Sequence, residues 1–72
     1  MNINTIKDNI ETMKGKNIEA KIYLGRNKYE YFEGVVDEIH PYLFTLKKAD
    51  EIKSFSYADI LTKNIVIKRL EK

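Results

Sequence analysis

The chain contains no cysteine and no tryptophan, and it has one histidine and one proline among its 72 residues. Without cysteine there are no disulfides, and a single imidazole supplies too few ligands for a structural zinc site. No stretch is long and apolar enough to be a signal peptide or a membrane span. We therefore expect a cytoplasmic protein without a metal or other cofactor, held together by packing and hydrogen bonds.

The residues that catalysis requires are also scarce. Enzymes position acids, bases and nucleophiles, yet His40 is the only imidazole and there is no thiol. Asp37 and Glu38 are adjacent, so on a strand they would point to opposite faces rather than form a carboxylate pair. His40 precedes Pro41, which restricts it to extended geometry, and we interpret it as a structural residue of a connection. We predict no catalytic residues and a protein that binds a partner rather than an enzyme.

An amphipathic helix is predicted over about residues 3–14. The apolar residues that recur there at spacings of three and four are Ile3, Ile6, Ile10 and Met13. Asn2 or Asn4 can cap the start of this helix through a side-chain oxygen. Gly15 can adopt the left-handed conformation that commonly ends a helix.

Five strands are predicted after the helix, because apolar and polar residues alternate from residue 17 and turn residues divide the segment. The expected strands span about residues 17–24, 29–39, 42–48, 52–57 and 64–70. Gly34 lies at the centre of the long second strand, where we expect a bulge or a sharp bend. We predict one domain over residues 1–72, mainly β, with a small five-stranded SH3-like or Sm-like barrel over about residues 17–70 and an N-terminal α-helix.

The segment from Ser56 to Thr62 is predicted to plug this barrel with one helical turn. Ser56 or Asp59 can cap the turn, and Ile60 and Leu61 can close the open end of the barrel. Tyr57 can pack its ring in the core while its hydroxyl finds a backbone partner.

The turn after the first strand and its flank supply the predicted contact residues, Arg26, Lys28, Tyr29 and Tyr31. Arginine and lysine can contact phosphates, and tyrosine rings can stack on unpaired bases. The same residue types anchor protein interfaces, and a net charge of +2 does not decide between the two partners. We therefore expect a protein or a nucleic acid as partner. A homodimer through a strand edge or the apolar stripe of the helix also fits the pattern.

Residues 34–44 read GVVDEIHPYLF and residues 56–62 read SYADILT. Together with the Gly-Arg turn at residues 25–28 and the leading helix, these motifs resemble the Veg family of small Gram-positive bacterial proteins. The second motif is the more specific, and the resemblance covers nearly the whole chain. It implies a cytoplasmic regulator that stimulates biofilm formation through an effect on transcriptional control, without enzymatic activity.

An alternative function follows from a second, weaker similarity. A helix followed by a bent strand with Phe32, Glu33 and Gly34 is similar to the first signature of Sm-like proteins. This reading predicts a barrel that binds single-stranded RNA or DNA. The connection at residues 39–42 lacks the Asp and Asn that bind bases in those proteins.

Overall fold

The computed structural model describes residues 2–70, which form two helices and one five-stranded antiparallel sheet. The elements in chain order are α1 (Ile3–Glu11), β1 (Asn17–Gly25), β2 (Lys28–Ile39), β3 (Leu43–Lys48), β4 (Glu51–Ser56), α2 (Tyr57–Leu61) and β5 (Ile65–Arg69). The strand order in the sheet is β4-β3-β2-β1-β5. The predicted mainly β architecture with an N-terminal helix is confirmed.

Helix α1 is capped by Asn2, whose side-chain oxygen accepts a hydrogen bond from the Thr5 N–H at 2.9 Å. The helix ends at Glu11, earlier than predicted, because the next residues form tighter turns. Gly15 follows these turns with a φ of +80°, and its N–H donates to the Val36 carbonyl oxygen at 3.0 Å. This bond fixes the segment after α1 to β2.

Strand β2 changes partner along its length. Its first part pairs with β1 up to Val35, and its second part pairs with β3 from Val35 to Ile39. The register with β3 shifts between Val36 and Ile39, so the predicted bulge at Gly34 is wrong in position. Gly34 is required for another reason: a Cβ there would lie 2.9 Å from the carbonyl oxygen of Lys47. The shift lets both Val36 and Ile39 pack on one core, although strict alternation would separate them.

The core is closed by the plug segment. Tyr57 is fully buried and stacks on Phe44 with ring centroids 5.8 Å apart. Its hydroxyl donates to the backbone oxygen of His40 at 2.7 Å, which confirms the predicted backbone partner. Ser56 caps α2 by accepting a hydrogen bond from the backbone N–H of the second helical residue at 3.1 Å. Ile60 packs against the core as predicted, whereas Leu61 is exposed and does not close it.

The sheet is open within residues 2–70. Strands β4 and β5 are its two edges and do not pair with each other, so the predicted barrel closure is not found. Helix α2 connects these two strands and contacts both, and α1 packs mainly on α2 and β2. Helices rather than a further ladder therefore cover the core where the sheet does not close.

Candidate functional site: an exposed tyrosine face

Three tyrosines lie side by side on the solvent-exposed face of the β1–β2 hairpin. Tyr23 pairs directly with Tyr29, and Lys21 pairs with Tyr31. Cross-strand partners in an antiparallel pair project to the same face of the sheet. The exposed fractions of Tyr23, Tyr29 and Tyr31 are 45, 46 and 58 %, respectively, so much of each ring is accessible to a partner. We call Lys21, Tyr23, Tyr29 and Tyr31 the tyrosine face.

The turn at residues 25–28 fixes the register that brings these tyrosines together. Arg26 and Asn27 have φ values of 37° and 63°, which suit the two central residues of a tight hairpin turn. Gly25, with a φ of 106°, precedes them in a conformation that other residues adopt rarely. The turn predicted after the first strand is confirmed, and it joins the two paired strands that carry the tyrosine face.

The side chains of the tyrosine face also contact one another. The Lys21 ammonium lies 4.2 Å from the centroid of the Tyr29 ring, and the Tyr23 and Tyr29 rings are tilted with centroids 5.6 Å apart. An exposed cation–π contact contributes about 0.5–1 kcal/mol, so these three side chains hold each other in place. Within residues 2–70, Tyr31 has no such ring contact and is the most exposed of the three tyrosines of this face.

A shallow depression lies beside the tyrosine face, where β5 runs along β1. Lys21, Tyr23 and Tyr29 form one side of it, and Lys63, Asn64 and Val66 form the other. Lys21 and Val66 are direct cross-strand partners, which explains how the segment before β5 reaches the tyrosines. Two ammonium groups beside aromatic rings suit a partner with both apolar and anionic groups.

The opposite end of the same face is acidic. Glu19 and Glu33 are paired across β1 and β2, and Asn17 donates to the Glu33 carboxylate at 2.8 Å. Like charges at directly opposed positions repel each other. On this face the Tyr23–Tyr29 pair lies nearest the turn, the Lys21–Tyr31 pair follows, and the two carboxylates come next.

The structure brings together two of the four predicted contact residues. Tyr29 and Tyr31 belong to the tyrosine face, whereas Arg26 lies in the turn. Alternation along β2 places Lys28 on the opposite face from Tyr29 and Tyr31. Whether these four residues contact a partner stays a prediction, since their positions alone do not test it. Sequence reasoning omitted Lys21 from the site, although the alternation of β1 and the short turn together would have indicated it.

His40 and Tyr57 both make contacts within the chain. The Nε2 atom of His40 lies 2.9 Å from the Oε1 atom of Glu38, and both side chains are exposed. Burial, together with the negative charge of Glu11, raises the pKa of Tyr57 above its ordinary value of 10.0, so its hydroxyl keeps the proton that it donates to His40. Tyr57 therefore acts as a structural hydrogen-bond donor.

Residues 2–70 offer no cluster of metal ligands and no membrane-spanning helix. No group of three or more histidine, cysteine, aspartate or glutamate side chains there is placed to hold a metal ion. Neither helix in this part of the chain has the length and apolar character needed to cross a bilayer. The tyrosine face is thus the strongest candidate site that the described residues offer.

The chain is similar to a known protein family. The family model described as biofilm formation stimulator VEG matches residues 1–68, which include the tyrosine face and the plug segment. No curated protein matches the chain.

Proposed function

Because the chain belongs to the family of the biofilm formation stimulator VEG, we propose that it is a non-enzymatic regulatory module whose tyrosine face binds a protein in the cytoplasm. This contact would affect the transcriptional control of biofilm formation. Family membership supports the biofilm-related role, and the family is not a known enzyme family. The observation that supports the binding site is the set of three exposed tyrosines held beside Lys21 on one rigid hairpin.

A protein partner agrees best with the chemistry of this face. Tyrosine is enriched among the residues that dominate protein interfaces. The rings of Tyr23 and Tyr29 are already held in contact, which reduces the side-chain entropy lost on binding. Glu19 and Glu33 at the other end of the face would repel a phosphate backbone that followed the hairpin. Lys21 covers one side of the Tyr29 ring, where a base would otherwise stack.

Single-stranded RNA or DNA is the second candidate. The observation that favours it is the depression where Lys21 and Lys63 stand beside tyrosine rings. Small barrels that hold single strands combine such cations with aromatic stacking platforms. Arg26 and Lys28 precede Tyr29 in sequence, and in this case they would add phosphate contacts.

Variants of the tyrosine face test the proposal. Affinity capture from lysate should retain a protein partner after nuclease treatment, and Tyr31→Ala with Tyr23→Ala should lose it. Truncation of a dominant interface residue costs about 2 kcal/mol or more, roughly a thirtyfold loss of affinity. Tyr42→Ala is the matched control, because Tyr42 is 76 % exposed and lies outside the tyrosine face. If the double variant binds the captured protein as tightly as the control does, the tyrosine face is not the site.

Salt dependence separates the two candidate partners. Binding to a single strand should weaken with salt by a log–log slope of about −0.7 for each phosphate contact. Lys21→Ala, or Arg26→Ala with Lys28→Ala, should then reduce that slope, while Tyr31→Ala should cost about 1–3 kcal/mol at nearly constant slope. For a protein partner, we expect the tyrosine variants to dominate and salt to matter less. Absence of binding to single-stranded RNA, single-stranded DNA and duplex DNA at low salt would reject the second candidate.

A further inference from the structure

Strand β5 leaves one row of main-chain groups without a strand partner in residues 2–70. On its other side β5 pairs with β1, and the bonds that flank this pairing involve the main chains of Asn64 and Leu70. In an antiparallel pair every second residue bonds to the partner, so Val66 and Lys68 also bond to β1. The residues whose main-chain groups point away from β1 are Ile65, Ile67 and Arg69. Such an edge is a template for another strand.

An apolar groove of about 480 Å³ runs beside this edge. Its apolar lining includes Ile6, Ile10, Met13, Ile60, Ile65 and Ile67. The groove lies between α1 and β5, because α1 packs mainly on α2 and β2. Its volume lies within the range of about 300–1,000 Å³ that is usual for ligand pockets. Side chains of an added strand could therefore enter it.

The charged residues that line the groove are both cations. Lys63 lies two residues before the start of β5, Arg69 is the last residue of β5, and no carboxylate lines the groove. The Arg69 guanidinium donates to the Thr12 hydroxyl at 3.3 Å, which holds it near the end of α1. The groove thus has an apolar floor between two positive ends.

We propose that the free edge of β5 accepts an extended acidic segment of a partner protein as an additional strand. Main-chain hydrogen bonds would join the segment to Ile65, Ile67 and Arg69, and its alternate apolar side chains would fill the groove. Acidic residues at its two ends would face Lys63 and Arg69. This surface shares no residue with the tyrosine face, although Lys63 and Val66 line both the groove and the depression beside the tyrosines. The test therefore leaves those two residues unchanged.

A designed heptapeptide serves as the probe, since the span from Lys63 to Arg69 is seven residues long. The end-blocked sequence Glu-Thr-Val-Thr-Ile-Thr-Glu places its glutamates opposite the two cations and its valine and isoleucine toward the groove. The peptide is titrated into the full chain to millimolar concentration and followed by amide chemical shifts and hydrogen exchange. We expect saturable shifts along β5 and α1. Exchange should slow at Ile65, Ile67 and Arg69 but not at Val66 and Lys68, which already bond to β1.

Two pairs of variants test the groove and its charge separately. Asn9→Trp fills the groove from the exposed side of α1 and should abolish binding, whereas Asn4→Trp, on the same helix but outside the groove, should not. Arg69→Glu should weaken binding about three- to tenfold, from one lost ion pair and one new repulsion. Lys68→Glu changes the net charge equally at the neighbouring position and should leave the affinity within about twofold. Thermal unfolding of each variant confirms that it remains folded.

Several results would overturn the proposal. The first is the absence of amide chemical-shift changes at millimolar peptide. The second is that a peptide with lysine at both ends binds as tightly as the peptide with glutamate at both ends. Exchange that slows uniformly along β5, without the alternation, would exclude strand addition. Self-association in analytical ultracentrifugation, with the same alternating protection in the absence of peptide, would identify a second copy of the chain as the occupant instead. None of these outcomes involves the tyrosine variants, so failure here and failure of the proposed function are distinguishable.

Discussion

Replacing Gly34 with alanine should destabilise the fold by forcing β2 and β3 apart. The added Cβ would lie 2.9 Å from the carbonyl oxygen of Lys47 and 3.2 Å from its carbonyl carbon. Ordinary contact begins near 3.4 Å, so the two strands must separate by a few tenths of an ångström. Both of these atoms belong to the backbone beside the Val35–Lys47 pair, and no side-chain rotation can relieve the clash.

We expect Gly34→Ala to lower the free energy of unfolding by about 1–3 kcal/mol, which is usual when extra atoms are forced into a packed site. For a domain of this size, that corresponds to a fall in melting temperature of roughly 5–20 °C. Thermal unfolding followed by circular dichroism measures it. Gly15→Asn is the comparison variant, because Gly15 has open space around it and any cost there comes from its left-handed φ, which asparagine adopts with less strain than most residues. A Gly34→Ala protein that melts within about 2 °C of the parent would refute the close-approach argument.

Three further substitutions probe the core. Tyr57→Phe removes the bond to His40 and should cost about 0.5–1.5 kcal/mol at neutral pH. The raised folded-state pKa of Tyr57 means that its stabilisation is complete below pH 10 and is lost as pH rises through that pKa, so urea titrations should show the difference shrinking at alkaline pH. Thr45→Val leaves the Glu38 N–H without its 3.0 Å acceptor. It should lower the free energy of unfolding, measured by urea titration, by about 1–3 kcal/mol, while Thr45→Ser should retain most of the stability. Ile10→Asp places a charge at a side chain that is 2 % exposed and should unfold the chain in circular dichroism, whereas a folded variant that only loses self-association would make the α1 stripe an interface.

Local sequence patterns predicted the helix and the strands well, because these elements form between residues only a few positions apart. The alternation after Asn17 gave the strands, and the spacing of Ile6 and Ile10 gave the helix. The hydrogen bond of Tyr57 was also predictable in kind, since a buried tyrosine hydroxyl usually finds a partner. Its acceptor, His40, was not, because that choice depends on how the plug meets the distant β2–β3 connection.

The features that were missed depend on contacts between distant segments. The role of Gly34 is set by Lys47 on the next strand, which no local pattern reveals. Lys63 reaches the tyrosine face only because β5 pairs with β1. Likewise, alternating strands predict a sheet but not whether its edges meet, and here α2 separates β4 from β5. Two of the predicted contacts, Tyr29 and Tyr31, share a face through alternation along β2, and the short turn sets the register that places Tyr23 beside them.

The pairing of β1 with β5 also determines the order in which the chain can complete its sheet. The other three strand pairs join strands that are consecutive in sequence. In the β1–β5 pair, by contrast, Ile18 lies opposite Arg69. Closing a long loop costs more chain entropy than closing a hairpin, so the β1–β5 ladder is the least favourable to nucleate. During synthesis, one edge of β1 lacks its strand partner until residues 65–69 have been added. The groove beside β5 and the depression that borders the tyrosines are therefore properties of the finished fold and do not exist in the nascent hairpin.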